Sequence, residues 1–364
     1  MSTDQTPSES TATEAPEAPP ATPEVSETPP VVGSQTARAA TLRQRLQQLM
    51  AFGGLIAIFA VIQREVFPTY GNIISILYSA VVVGLLALGA TLVIITSGID
   101  LSVGTGMAFC AVIAGTFIVT WQIPVAVGVL LAILFGGLLG AINGFNVAIL
   151  RLPPFIATLA MMLVCQGLAL VVSKTKPIYF DPDSGYTSIS TGTLIDDHVL
   201  VGVPLPRNLP NAIIVFALAI AVAAVLLNRT LLGRYDVAIG SNEEATALSG
   251  VNVKKWLIII YTVAGLFTGL AGVMISARLG SAQPATGVGY ELQAIAAVVI
   301  GGTSLSGGKG SIVGTVIGAL IIAVLNNGLQ ISSVPQEWQN VILGVVILLA
   351  VFSDQLRTRR EAIH

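Results

Sequence analysis

The chain has 364 residues, of which 54% are hydrophobic and only 10% charged, and its formal net charge is −2. Soluble domains carry about a quarter charged residues, so this composition, with a mean hydropathy of +0.85, excludes a soluble globular protein. The near balance of acids and bases also excludes a nucleic-acid binder that works through basic charge. Lipid offers backbone groups no hydrogen-bond partner, so spanning segments must be helices or a closed barrel. Apolar runs of about 15–25 residues select helices, because a barrel strand alternates over shorter stretches.

Taken in chain order, residues 1–37 hold six acids, seven prolines and no base. Such a segment buries too little apolar surface to fold, so 1–44 is expected to be a disordered, acidic, Pro-rich tail. It lacks the basic start and apolar middle of a secretion signal. Ten membrane segments follow, at roughly 47–66, 72–96, 102–120, 123–149, 154–172, 210–229, 256–278, 291–302, 311–331 and 337–353. The expected fold is therefore an all-α polytopic membrane protein of about ten transmembrane helices, with some helices short or broken at Gly-rich turns. The eighth segment is about twelve residues long, short for a crossing.

With the N-terminus inside, twelve Lys and Arg from Arg38 to Arg360 fall on the inner side. Five fall outside: Arg64, Lys174, Lys176, Arg207 and Arg278. That bias places both termini in the cytoplasm. The membrane-embedded body is 45–353 and the basic cytoplasmic tail 354–364. Two extramembrane segments stand out, an outer loop at 173–208 and a cytoplasmic segment at 230–255. SGIDLSVGTG (97–106) also echoes GGTSLSGGKG (301–310), each lying between two apolar helices.

Catalytic chemistry is absent from this pattern. A P-loop ends G-K-[ST] with a first Gly five positions ahead of the second; here those outer positions are Thr303 and Gly310, so no ATP site is expected. Cys110 and Cys165 sit in apolar runs, and the only histidines are His198 and His364, so no metal, cofactor or redox centre is expected. Intramembrane acids that couple ions are almost missing: Asp100, Arg278 and Glu291 all fall at segment ends, where capping or snorkelling accounts for them. Scattered neutral polar residues remain, and Asp100, Ser102, Asn143, Thr158, Gln293, Asn326 and Asn327 are candidates for a translocation path or gate.

The stretch GRYDVAIGSNEEATALSGV (233–251) interrupts the apolar pattern. Ser241 with Glu244 fits a capping box. Glu243 and Glu244 suit the positive end of a helix dipole, and Gly250 suits a C-terminal stop. Between them fits a helix of about eight residues, with Ala245, Leu248 and Val251 on one apolar side.

The residues Glu244, Ala245, Thr246 and Gly250 resemble the E-A-A-x-x-x-G motif of membrane subunits of ATP-binding cassette (ABC) importers, with Thr for the usual third Ala. TLVIITSGIDLSVG (91–104), PFIATLAMM (154–162), LGRYDVAIGSNEEATALSGVNV (232–253) and the 281–315 stretch resemble the ribose-type sugar permeases, a branch shared with branched-chain amino acid permeases. The likeness covers roughly 45–353. It implies a permease subunit in a prokaryotic cell membrane that translocates a monosaccharide and is not itself an enzyme. Its implied partners are a separate ABC ATPase subunit, an extracytoplasmic sugar-binding protein, a second permease copy and the lipid bilayer, with no nucleic acid. Ser241, Asn242, Glu243, Glu244, Ala245, Thr246, Leu248 and Gly250 would form the helix that couples to the ATPase. A nucleoside, a sugar-derived signal or a branched-chain amino acid is the alternative cargo. An ion-coupled carrier acting alone is the rival from another class.

Overall fold

The structure, a computed structural model, describes residues 34–193 and 209–361, with side chains described from 45 to 352. Two compact units divide between Thr41 and Leu42, and the second contains the helical bundle. In chain order the elements are α1 (Ser34–Ile62), α2 (Tyr70–Ile95), α3 (Val103–Gly115, prolonged by a π-helical turn at Thr116–Thr120), α4 (Val125–Ala148) and α5 (Pro154–Val172). A short β1 (Ile178–Tyr179), a 3-10 turn (Pro182–Ser184) and α6 (Ser188–Thr191) come next. Then come α7 (Asn211–Arg229), α8 (Leu231–Ser241), α9 (Glu243–Leu248), α10 (Val253–Leu279), β2 (Ser281–Ala282), α11 (Tyr290–Ile300), α12 (Ile312–Ile331) and α13 (Gln336–Glu361).

Among the described residues, eight helices are long and apolar enough to cross a membrane: α1, α2, α3 with its π turn, α4, α5, α7, α10 and α12. The apolar stretches of α11 (Tyr290–Ile300) and α13 (Gln336–Phe352) are shorter, and α11 coincides with the segment expected to be short. The N-terminal boundary differs from expectation. Residues 34–44 of the segment expected to be disordered are helical, because Ala, Gln, Leu and Arg after Gly33 are good helix formers. Residues 1–33 and the 194–208 part of the outer loop lie outside the described residues.

The centre of the bundle is α2, whose residues from Ala80 to Ile95 are all buried. Its all-round apolar sequence is what a helix enclosed by other helices requires. One polar rivet crosses the core, with the Thr91 and Thr315 hydroxyls 2.7 Å apart between α2 and α12. The most extensive helix pairing is α4 on α10, through small residues that let two backbones touch. A side chain at Gly140 would run into the Tyr261 carbonyl, and one at Gly265 into the Gly136 carbonyl.

Elements of the 173–193 segment are anchored rather than merely connecting. β1 pairs antiparallel with β2, Ile178 opposite Ala282 and Tyr179 opposite Ser281. Tyr186 is fully buried, stacked on Phe180 with ring centroids 3.8 Å apart, and its hydroxyl lies 2.7 Å from Ser276 Oγ of α10. Cys110 and Cys165 are free and buried among apolar neighbours.

Candidate functional site

The sequence candidates separate into three places. The first is the α8–α9 corner. The 231–241 stretch is itself a helix, which the sequence reading did not separate from α9, and Ser241 is its last residue. Ser241 therefore does not cap α9; its Oγ donates to the Val237 carbonyl at 2.7 Å. Asn242 is the first residue to leave helical geometry (φ −163, ψ 104), and its Oδ1 accepts from Ala245 N at 2.8 Å. The capping box of Ser241 and Glu244 is thus replaced by an Asn cap, which serves the amide one residue further on, Ala245 rather than Glu244.

Glu243 and Glu244 do occupy the first turn, and Gly250 (φ +86) ends the corner in the left-handed region that glycine tolerates. The helix has six residues rather than eight. Thr246 turns inward and donates to the Asn242 carbonyl at 2.7 Å, whereas Leu248 is 84% exposed. An apolar side chain held that far out by a rigid corner offers a contact surface.

This corner is tied to the bundle. Gly308 N donates to the Ile95 carbonyl at 2.9 Å, and Ser97 Oγ donates to the Ser306 carbonyl at 2.9 Å. The two echoing segments, 97–106 and 301–310, therefore meet. At Gly240 of α8, a Cβ would collide with the Ile95 carbonyl and reach 2.6 Å from Gly308 N.

Sequence reasoning passed over Asp236. It is fully buried, and neither carboxylate oxygen has a hydrogen-bond partner among the described residues. Burial pushes its carboxyl well above the usual range. The signal was its spacing: Leu232, Asp236 and Ile239 recur on the helical period that places them on one buried face.

The second place is a knot of four candidates at the α2–α3 break. Asp100 Oδ1 accepts from Ser102 N at 2.8 Å and from Ser102 Oγ at 2.6 Å. Asn143 Nδ2 of α4 donates to Ser102 Oγ at 2.8 Å. Thr158 of α5 donates to the Ile99 carbonyl at 3.0 Å and accepts from Leu101 N at 3.1 Å. All four are buried. These bonds brace a helix break across α4 and α5, with Asn143 Oδ1 buried and without a partner among the described residues.

The third place holds Gln293 and Asn326, linked by Asn326 Nδ2 donating to Gln293 Oε1 at 2.9 Å. They face a cavity of about 680 Å³ between α2, α11, α12 and α13, whose wall also carries Gln330, Gln336, Gln339, Asn340 and Arg278. Arg278 closes α10 with its guanidinium 4.7 Å above the Tyr78 ring. Asn327, one position round α12 from Asn326, is buried and is not on this wall. Glu291 is spent locally, its carboxylate accepting from Gly289 N at the start of α11. A second cavity of about 690 Å³ flanks α9, with Arg151, Glu243 and Lys254 on its wall.

A bundle of apolar helices around a buried central helix, with a polar cavity between α2, α11, α12 and α13, defines a polytopic α-helical membrane protein. Residues 72–351 match the family model described as branched-chain amino acid transport system / permease component, and the chain belongs to that family. It is 44% identical over 308 residues to the ribose import permease protein RbsC of Escherichia coli (strain K12), covering 85% of this chain and 92% of that protein. It is 42% identical over 316 residues to the ribose import permease protein RbsC of Bacillus subtilis (strain 168), covering 86% and 94%. The fructose import permease protein FrcC of Rhizobium meliloti is 36% identical over 340 residues, 89% and 91% of the two chains. No solved structure matches the chain.

Proposed function

We propose that this chain is the membrane-spanning subunit of an ABC importer that admits a monosaccharide of the ribose or fructose kind. The observation that carries the proposal is α9, a capped six-residue helix that holds Glu243, Glu244 and Leu248 outward beyond the apolar bundle. A helix this short is marginal alone, so its two stops and its junction with α8, which packs on α2 at Gly240, suit a part made to be pushed on. In this reading Ser241 to Gly250 dock into a separate ATPase subunit, which hydrolyses the ATP, and the α9 end of the bundle is cytoplasmic together with both termini. The opposite end, with the anchored part of the 173–208 loop, receives sugar from an extracytoplasmic binding protein. Two permease copies form the pathway, and 45–353 is the transmembrane body.

A branched-chain amino acid is the less suitable cargo. Its ammonium and carboxylate would each need an opposite charge or a dense set of hydrogen bonds once desolvated, and the wall of the amide-lined cavity includes no carboxylate. Reconstitution in vesicles with the ATPase and binding protein tests the proposal. Uptake of ribose should require ATP and survive collapse of ion gradients. Replacing Glu244 with Lys should abolish ATPase association while insertion is unchanged; uptake by this chain alone, driven by a gradient, refutes the assignment.

A further inference from the structure

The candidates that sequence spacing grouped as one path do not behave alike. In the Asp100 knot nearly every polar atom is engaged by a protein neighbour. Around Gln293 and Asn326 the polar atoms are open. The Asn326–Gln293 hydrogen bond uses one N–H and one carbonyl, leaving the Gln293 amide N–H groups and the Asn326 carbonyl without protein partners among the described residues. Gln330 is exposed on the cavity, and its side chain has no partner among them.

We infer that the cavity between α2, α11, α12 and α13 is the place where this chain itself holds the sugar in transit, through neutral carboxamide contacts to its hydroxyl groups. This deepens the importer assignment and rests on it. Six carboxamides from three helices line one wall; those of α13 are partly engaged, Gln339 Nε2 donating to the Val334 carbonyl at 2.7 Å and Gln336 Nε2 to Asn340 Oδ1 at 3.4 Å, so Gln293, Asn326 and Gln330 carry the open groups. A carboxamide offers an acceptor oxygen beside two donor hydrogens, which matches a sugar hydroxyl that donates once and accepts twice. Carboxamides facing lipid would lack partners, so their convergence marks a space built for a polar, uncharged occupant. The floor is apolar, formed by Val82, Val83 and Leu343, a surface that suits the C–H face of a sugar ring. The single formal charge on the wall is Arg278, whose guanidinium lies over the Tyr78 ring, and the other polar groups on the wall are neutral. The volume, about 680 Å³, lies in the range of small-molecule sites, about 300–1,000 Å³.

The test uses the complete transporter, permease with ATPase and binding protein, in proteoliposomes supplied with ATP and D-ribose. Replacing Asn326 or Gln330 with Leu keeps bulk and removes the carboxamide. Each should lower kcat/KM for ribose about tenfold, the size of a lost hydrogen bond, while assembly with the ATPase persists. A second readout does not depend on turnover. The native cysteines are buried, so a Gln330→Cys variant offers one accessible thiol to a membrane-impermeant thiosulfonate, and D-ribose should slow its labelling. Unchanged uptake in both Leu variants, or labelling indifferent to ribose, overturns the cavity assignment and leaves the importer standing. Absence of ATP-dependent uptake by the unaltered chain overturns both.

Discussion

Replacing Gly140 with Ala places one methyl group in the close-packed seam between α4 and α10. The new Cβ would press on the Tyr261 carbonyl oxygen and lie 2.9 Å from its carbon and 3.1 Å from Gly265 Cα. Moving that carbon contact out to an ordinary separation of about 3.4 Å parts α4 and α10 by at least about half an ångström, and the nearer carbonyl oxygen demands more. A gap of that size forfeits about a quarter of each dispersion contact along the seam, and overpacking of this kind costs about 1–3 kcal/mol. Ala also gains about 1 kcal/mol over Gly inside a helix, which would blur a single measurement. Gly167 of α5 has nothing within 4 Å of its would-be Cβ, so Gly167→Ala carries the helix gain without the clash. The difference between the two variants isolates the packing cost. Thermal unfolding in detergent should place Gly140→Ala below the unaltered protein and Gly167→Ala at or above it. Equal melting temperatures for the two variants would refute the close-packed seam.

Three further outcomes are expected. The buried Asp236 carboxyl binds its proton more tightly folded than unfolded, so stability falls as pH rises from about 4 toward its elevated value, by at most about 1.4 kcal/mol per pH unit. Asp236→Asn should remove that slope, and melting curves of the two proteins that stay parallel between pH 4 and 8 would contradict it. Leu248→Asp should abolish ATPase association without lowering the melting temperature of the permease alone, because the side chain is 84% exposed; pull-down with the ATPase checks this. Asp100→Asn should weaken the charge-assisted bonds from Ser102 and destabilise the chain by about 1–3 kcal/mol, with the ratio of ribose to xylose uptake unaltered. A shifted ratio would assign Asp100 to cargo selection.

The spans were legible because a long apolar run is a one-dimensional signal, and even the shortness of α11 could be read from the Gly residues that bound it. Thr158, a candidate for the path or gate, is hydrogen-bonded to the Ile99 carbonyl and the Leu101 amide at the helix break. The cap of α9 was misplaced by one residue for a physical reason: a cap belongs to the first residue that leaves helical geometry, and that depends on where α8 ends. Ser241 has the right chemistry and the wrong backbone. The cavity was legible in two of its residues only. Gln293 and Asn326 stood out as polar within apolar runs, but Gln336, Gln339 and Asn340 open α13 in a polar stretch where amides are unremarked. Their meeting is a property of three helices together, which no local window contains.

The central helix α2 touches two of these places. Its Ile95 carbonyl receives Gly308 beside the α8–α9 corner, and its Val82 and Val83 form part of the cavity floor. Twelve residues separate Val83 from Ile95, about 18 Å of uninterrupted helix at 1.5 Å per residue. A buried rod with one end at the proposed docking corner would work in both directions, because a coupling free energy between two sites is the same seen from either. If nucleotide at the ATPase shifts α2 and thereby loosens the grip on sugar, then sugar in the cavity must weaken that nucleotide state by the same factor. The importer would then report its cargo to its motor through the helix that the motor moves.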